Sequence, residues 1–151
     1  MSVAAPSLFT IGYEGSTVAA VGAALRDAGV RVLLDVRAVP LSRKPGFSKR
    51  MLAAVMAEQG IEYVHLRGLG TPAEGRTAAR AGNIDRMHVI FRAHMESGEA
   101  QADLAHAVAI AAERPACLLC FEHAAAGCHR RIVGEMISER GGQAVVDLVP
   151  I

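Results

Sequence analysis

Two short apolar runs constrain the fold of this chain more than any other feature. Val32-Leu-Leu-Asp-Val and Cys117-Leu-Leu-Cys-Phe lack the apolar–polar alternation of a half-exposed strand. Each reads as a strand covered on both faces, as in a parallel sheet with helices above and below. Parallel neighbours need long crossovers, and the sequence supplies them. Ser16 or Thr17 opens a helix with Val18, Val21, Leu25 and Ala28 on one face, stopped by Gly29. Ser48 opens another with Met51, Leu52, Val55 and Met56 inward, closed by Gly60. Further strands are predicted over 8–13, 61–66 and 144–149. The fold class that follows is α/β: a single three-layer domain over 1–151, with a mostly parallel sheet of about five strands and helices on both faces.

The segment 67–82, rich in Gly, Thr and Arg, is long and polar for a connection and reads as a flexible loop or lid. Asn83 then caps a helix carrying Ile84, Met87, Phe91 and Met95, and a break at Ser97-Gly98 separates it from an Ala-rich helix ended by Pro115. A last helix bears Ile132, Val133, Met136 and Ile137 and stops at Gly141-Gly142. A chain of 151 residues can bury a sufficient core without disulfides or metal. Its apolar runs are too short to cross a bilayer, and its first seven residues carry neither a basic residue nor a long apolar stretch. The expectation is a soluble, cytoplasmic protein without a signal peptide or membrane partner. Its three cysteines read as reduced thiols.

Under this layout four strands end on functional groups: Tyr13-Glu14, Asp35 with Arg37, His65 with Arg67, and Glu122 followed by Cys128-His129-Arg130. Ligands of open α/β sheets bind outside the carboxyl ends of the strands, where such residues converge. No acid lies between Asp35 and Glu58, whereas Arg37, Arg43, Lys44, Lys49 and Arg50 all fall in that gap. The cluster suits an anion, and a solvated basic loop is the plain alternative. Asp35, at the end of a buried strand, needs a cationic partner such as Arg37. Glu122 follows an apolar strand, where desolvation favours general acid or base work.

Cys128 stands at the start of the last helix, where the dipole and neighbouring Arg residues favour thiolate. A packing role for the same thiol is the alternative. The phosphatase arrangement is absent: Gly134 stands six positions after Cys128 and Ala126 six after Cys120. Cys120, His123, Cys128 and His129 have a zinc-like spacing, but strand alternation is expected to aim Cys120 away from one or more of these partners, so neither metal nor cofactor is called for. His129 and Arg130 at a helix N-terminus instead suit an anion. His88, His94 and His106 sit at ordinary helix spacings. Neither a P-loop nor a dinucleotide fingerprint follows any strand, which removes support for nucleoside triphosphate hydrolysis and nicotinamide-linked hydride transfer.

The stretches Thr10-Ile-Gly-Tyr-Glu-Gly-Ser, Leu34-Asp-Val-Arg-Ala-Val-Pro, Ser42-Arg-Lys-Pro-Gly-Phe-Ser-Lys, Ile61-Glu-Tyr-Val-His-Leu-Arg-Gly-Leu-Gly, Leu119-Cys-Phe-Glu and Cys128-His-Arg span nearly the whole chain. Together they resemble the uncharacterised bacterial family known as domain of unknown function 488, in which Tyr13-Glu14 matches one of two usual variants. The resemblance implies an α/β fold and a shared polar site at Asp35, Arg37, Glu122, Cys128, His129 and Arg130. It implies no reaction.

Three functions remain open on the sequence. The first is hydrolase-like acid–base chemistry, including N-glycosidic cleavage, on a phosphate-bearing ligand such as a nucleotide or nucleic acid. In that reading Glu122 or Asp35 is the acid or base and His129 moves or orients a proton. Arg37, Arg43, Lys44 and Arg130 hold the anion, with Tyr13, Glu14, His65 and Arg67 beside them. The second is thiol chemistry with Cys128 as nucleophile. The third is a non-catalytic module that recognises the same ligands.

Overall fold

A computed structural model of the chain describes residues 6–122 and 128–150. The apolar runs become the strands β1 (Leu8–Gly12), β2 (Val32–Asp35), β3 (Glu62–His65), β4 (Ala116–Cys120) and β5 (Val145–Leu148). All pair in parallel in the order β3-β2-β4-β1-β5. The helices are α1 (Val18–Asp27), α2 (Lys49–Glu58), α3 (Ala73–Arg80), α4 (Ile84–His94), α5 (Gly98–Glu113) and α6 (His129–Gly141). None of the described helices is long and apolar enough to cross a membrane.

Strand alternation divides the core in two. Val32 and Leu34 of β2, with Ala116, Leu118 and Cys120 of β4, face the cluster built on α4, α5 and α6. Leu33, Cys117 and Leu119 face Val21 and Leu25 of α1 and Leu52 and Met56 of α2. The three-layer α/β reading therefore holds, with the central strands β2 and β4 buried at every position. The predicted strands overran by one residue at Tyr13, Val36 and Phe121 and at both ends of β3 and β5.

Connections leave β2 and β4 in opposite directions along the sheet: β2 leads to the β3 edge and β4 to the β5 edge. Such a divergence between adjacent parallel strands opens a crevice beyond their carboxyl ends. Register brings the relevant ends level, pairing His65 with Asp35, Asp35 with Leu119, and Gly12 with Cys120.

Segment 67–82 differs from the loop expected of it. It contains a 3-10 turn, Arg67–Leu69, and the two-turn helix α3. Glycines here serve close packing: a Cβ on Gly70 would sit 2.3 Å from the Ala38 backbone nitrogen, and one on Gly75 would sit 2.5 Å from Thr71 Cγ2. The turn is held from outside as well. Gly68 N–H donates to Asp103 Oδ2 at 2.7 Å, and His94 Nε2 donates to the Gly68 carbonyl at 2.8 Å.

Candidate functional site

Two polar networks meet at the crevice, one from each face of the sheet. On the α1/α2 face, Asp35 is fully buried and clamped by Arg37: Nε reaches Oδ1 at 2.8 Å, Nη2 reaches Oδ2 at 2.7 Å, and the Arg37 backbone N–H adds a bond to Oδ1 at 3.1 Å. The Tyr63 hydroxyl donates to Asp35 Oδ2. The remaining guanidinium nitrogen, Nη1, donates to the Phe47 carbonyl at 2.7 Å and to the Tyr13 hydroxyl at 3.2 Å. Tyr13 stacks on Phe47 with ring centroids 4.3 Å apart and meets Phe121 edge-on at 5.4 Å. Burial alone pulls the Arg37 guanidinium down, but the bonds and charge of Asp35 outweigh it and hold the group above its ordinary range. Burial, then the Asp35 charge, lifts the Tyr63 phenol.

On the α6 face, Cys128 is the N-cap of α6, so its side chain turns back over the end of β4. Even-numbered β4 residues point the same way, and the Cys120 and Cys128 sulfurs join as a disulfide with Cα atoms 7.5 Å apart. This corrects two expectations. The three cysteines comprise one pair and the free buried thiol Cys117, and alternation aims Cys120 towards Cys128 and His129 instead of away. His129 Nδ1 lies 3.6 Å from Cys128 Sγ, and Nε2 lies 2.7 Å from the Val36 carbonyl. A carbonyl only accepts, so Nε2 carries the proton and Nδ1 presents a lone pair to the sulfur. Burial pushes the imidazole down to about 4, against the pull of that carbonyl, so it is neutral near pH 7.

Arg130 is turned inward: Nη1 donates to Cys120 Sγ at 3.1 Å and to the Glu122 carbonyl at 2.5 Å. Burial lowers its guanidinium from the ordinary value. Glu122 is half-buried, with Oε2 3.4 Å from Cys120 Sγ. Burial raises its carboxyl, against opposing pulls from its own backbone and Arg130.

Between the networks lies a cleft of about 410 Å³, within the usual size of small-molecule sites. Arg37, Arg76, Arg80, Glu122 and His129 contribute polar groups to its lining, and Val39, Leu41 and Phe121 form an exposed apolar lip. Of the residues singled out in the sequence, Tyr13, Arg37, Glu122, Cys128 and His129 border this space. Asp35 and Arg130 stand behind it as supports. Arg43, Lys44, Glu14, His65 and Arg67 are not among its lining residues. His65 Nε2 instead donates to the Arg37 carbonyl at 2.8 Å, fixing the backbone beyond β2. Position 123, the second residue of the zinc-like spacing, lies outside the described residues.

Sequence reasoning missed Arg76 and Arg80. Their i,i+4 spacing marks one helix face, a signal hidden by the Gly- and Pro-rich flanks. Arg76 Nη1 donates to the Thr71 carbonyl at 2.9 Å, and neither arginine forms an ion pair among the described residues.

The family described as Domain of unknown function DUF488 matches residues 17–137. This chain belongs to the DUF488 family. No curated protein and no solved structure matches the chain. The matched span of this DUF488 domain runs from the N-cap of α1 into α6 and includes Asp35, Arg37, Arg76, Arg80, Glu122, Cys128 and His129. Apart from Tyr13, the residues of both networks lie within the matched span, while β1 and β5 lie outside it.

Proposed function

We propose that this DUF488 protein is a small cytoplasmic enzyme that binds a phosphate-bearing ligand, a nucleotide or a segment of nucleic acid, in the cleft beyond β2 and β4 and hydrolyses it by acid–base chemistry. One observation carries the reading: the cleft is lined both by guanidinium groups that form no ion pair among the described residues, Arg76 and Arg80, and by a half-buried carboxyl, Glu122. Guanidinium is the side chain best matched to phosphate oxygens. The Val39, Leu41 and Phe121 lip offers a planar base an apolar surface and one aromatic ring.

In this scheme Arg76 and Arg80 seat the phosphate, and Glu122 takes a proton from the attacking water and returns it to the leaving group. Asp35 acts through Arg37, locking that guanidinium at the floor of the cleft. His129 and His65 hold the carbonyls of Val36 and Arg37 and so set the rim. Arg43 and Lys44 add to the positive field along the approach. Cys128 is engaged with Cys120, which argues against a free thiolate nucleophile.

The test is hydrolysis of nucleoside phosphates and short oligonucleotides by wild type and Glu122→Gln, with binding measured in parallel. Loss of about 10²–10⁴ in turnover with binding retained is expected of an acid–base residue. Binding by both proteins with no turnover by either would identify a recognition module instead. A steep fall of affinity with salt would mark the nucleic-acid form of the ligand.

A further inference from the structure

Cys120, Cys128 and His129 are more than a disulfide beside a histidine. Their two sulfurs and a ring nitrogen of His129 all lie within 4.8 Å of one another, and all three residues are buried yet border the cleft. Two thiolates and an imidazole are a zinc donor set, and catalytic zinc sites use three protein ligands with a fourth position left open. We propose that the reduced Cys120–Cys128 pair, with His129, holds a zinc ion whose fourth position opens to the cleft beside Glu122.

Geometry supports this at three points. Tetrahedral zinc with Zn–S of about 2.3 Å and Zn–N of about 2.0 Å places an S and an N ligand roughly 3.5 Å apart. Cys128 Sγ and His129 Nδ1 are 3.6 Å apart. The ring is also held as a metal ligand requires, because zinc-bound imidazoles donate their other N–H to a carbonyl or carboxylate, and here Nε2 donates to Val36 O. Finally, the Cα separation of 7.5 Å exceeds the span of about 4.4–6.8 Å usual for a disulfide. Two thiolates on one zinc stand about 3.8 Å apart and accommodate a wider backbone spacing.

Arg130 fits the same picture. Its Nη1 donates to Cys120 Sγ at 3.1 Å, offsetting part of the negative charge that two thiolates bring. Glu122 Oε2, 3.4 Å from that sulfur, stands where it can accept a proton from a water at the open position. Two equivalents of a low-molecular-weight thiol reduce the disulfide to two thiols and are themselves oxidised to a disulfide. Zinc then displaces the two thiol protons to solvent as two Zn–S bonds form.

The site is independent of the phosphate reading, because a metal can bind whether or not a phosphate is hydrolysed. It is tested without activity. Protein purified under a thiol reductant is assayed for zinc by elemental mass spectrometry; apo protein, prepared by chelation and kept reduced, is titrated with Co²⁺ and followed by absorption. We expect about one zinc per chain and a thiolate-to-cobalt charge-transfer band that Zn²⁺ abolishes. Cys117→Ala is expected to keep the band. Cys120→Ser, Cys128→Ser and His129→Gln are expected to weaken binding by more than the roughly 10–100-fold typical of losing an outer partner. Circular dichroism establishes that each variant is folded, and the wild-type cobalt spectrum decides the matter if one is not. Reduced, folded wild type that gives no charge-transfer band, or folded variants that bind Co²⁺ like wild type, would overturn the proposal.

Discussion

Asp35 has no exposed surface, and its charge is matched only by what the fold brings to it: two guanidinium bonds, a backbone N–H and the Tyr63 hydroxyl. Removing one member of a buried pair leaves the other charge stranded, at a cost of about 3–5 kcal/mol. Arg37→Leu is therefore expected to lower unfolding free energy by about that amount in urea titrations. Arg37→Lys is expected not to restore it, since an ammonium cannot make the two-pronged contact. The exposed Arg114–Glu62 pair makes a useful contrast, for Arg114→Ala should change stability by no more than about 1 kcal/mol. Gly12 is a second sensitive position: a Cβ there would fall 1.7 Å from the Glu122 carbonyl oxygen and 3.0 Å from Arg130 Nη1. Gly12→Ala must displace the backbone that carries Glu122, and a loss of about 1–3 kcal/mol is expected in the same titrations. The Asp35–Arg37 pairing was legible in the sequence because both residues sit at one strand end. Phe47 was expected at the same edge, but its contact with Arg37 and that of Tyr63 with Asp35 were not legible, because they depend on the chain returning before α2 and on β3 pairing beside β2.

Among the elements, α3 departs furthest from what its sequence suggested. Pro72, Gly75 and Gly82 punctuate it as a loop would be punctuated, and Gly in a helix interior costs about 1 kcal/mol relative to Ala. Tertiary packing overrides that propensity, because the helix lies close to Thr71 and Ile90 at Gly75. Its neighbour α4 was plain in the sequence: Asn83 caps it, with Oδ1 accepting from the Arg86 N–H at 3.2 Å. Asn83→Ala is expected to cost about 1 kcal/mol in thermal or chemical unfolding. Strand positions were legible to within a residue because β2 and β4 are apolar on both faces. Their true ends were not, since the ladder stops where two connections part, and that depends on strand order. The Cys120 direction was misjudged for a related reason: alternation gives a face, but only the placement of α6 shows that Cys128 and His129 share it.

For the molecule as a whole, the order β3-β2-β4-β1-β5 makes the site. It sends the chain to opposite edges after β2 and β4 and leaves the 410 Å³ cleft between their carboxyl ends. Into that space the two faces of the sheet deliver different chemistry: a locked ion pair with aromatic rings from the α1/α2 side, and the Cys120–Cys128 disulfide, an imidazole and a carboxyl from the α6 side. Helix α3 adds the guanidinium groups of Arg76 and Arg80. The α/β class and the carboxyl edge as the place of the site were readable from the apolar runs and the residues that follow them. Of the cations that line the cleft, Arg37 was readable, whereas Arg76 and Arg80 were not, because they come from a helix hidden in an apparent loop. Binding tests should therefore use α3 variants, which leave the buried Asp35–Arg37 pair intact.

The most direct test is a thermal-shift titration of wild type and an Arg76→Ala/Arg80→Ala double variant with nucleoside phosphates, sugar phosphates and short oligonucleotides. A ligand at one hundred times its dissociation constant stabilises the fold by about 2.7 kcal/mol, which for a chain of this size is a rise of roughly 5–10 °C. We expect such a rise for at least one phosphate-bearing class in wild type, and its loss in a double variant that still unfolds cooperatively without ligand. Absence of a shift with every phosphate-bearing compound, or an equal shift in the double variant, would contradict it.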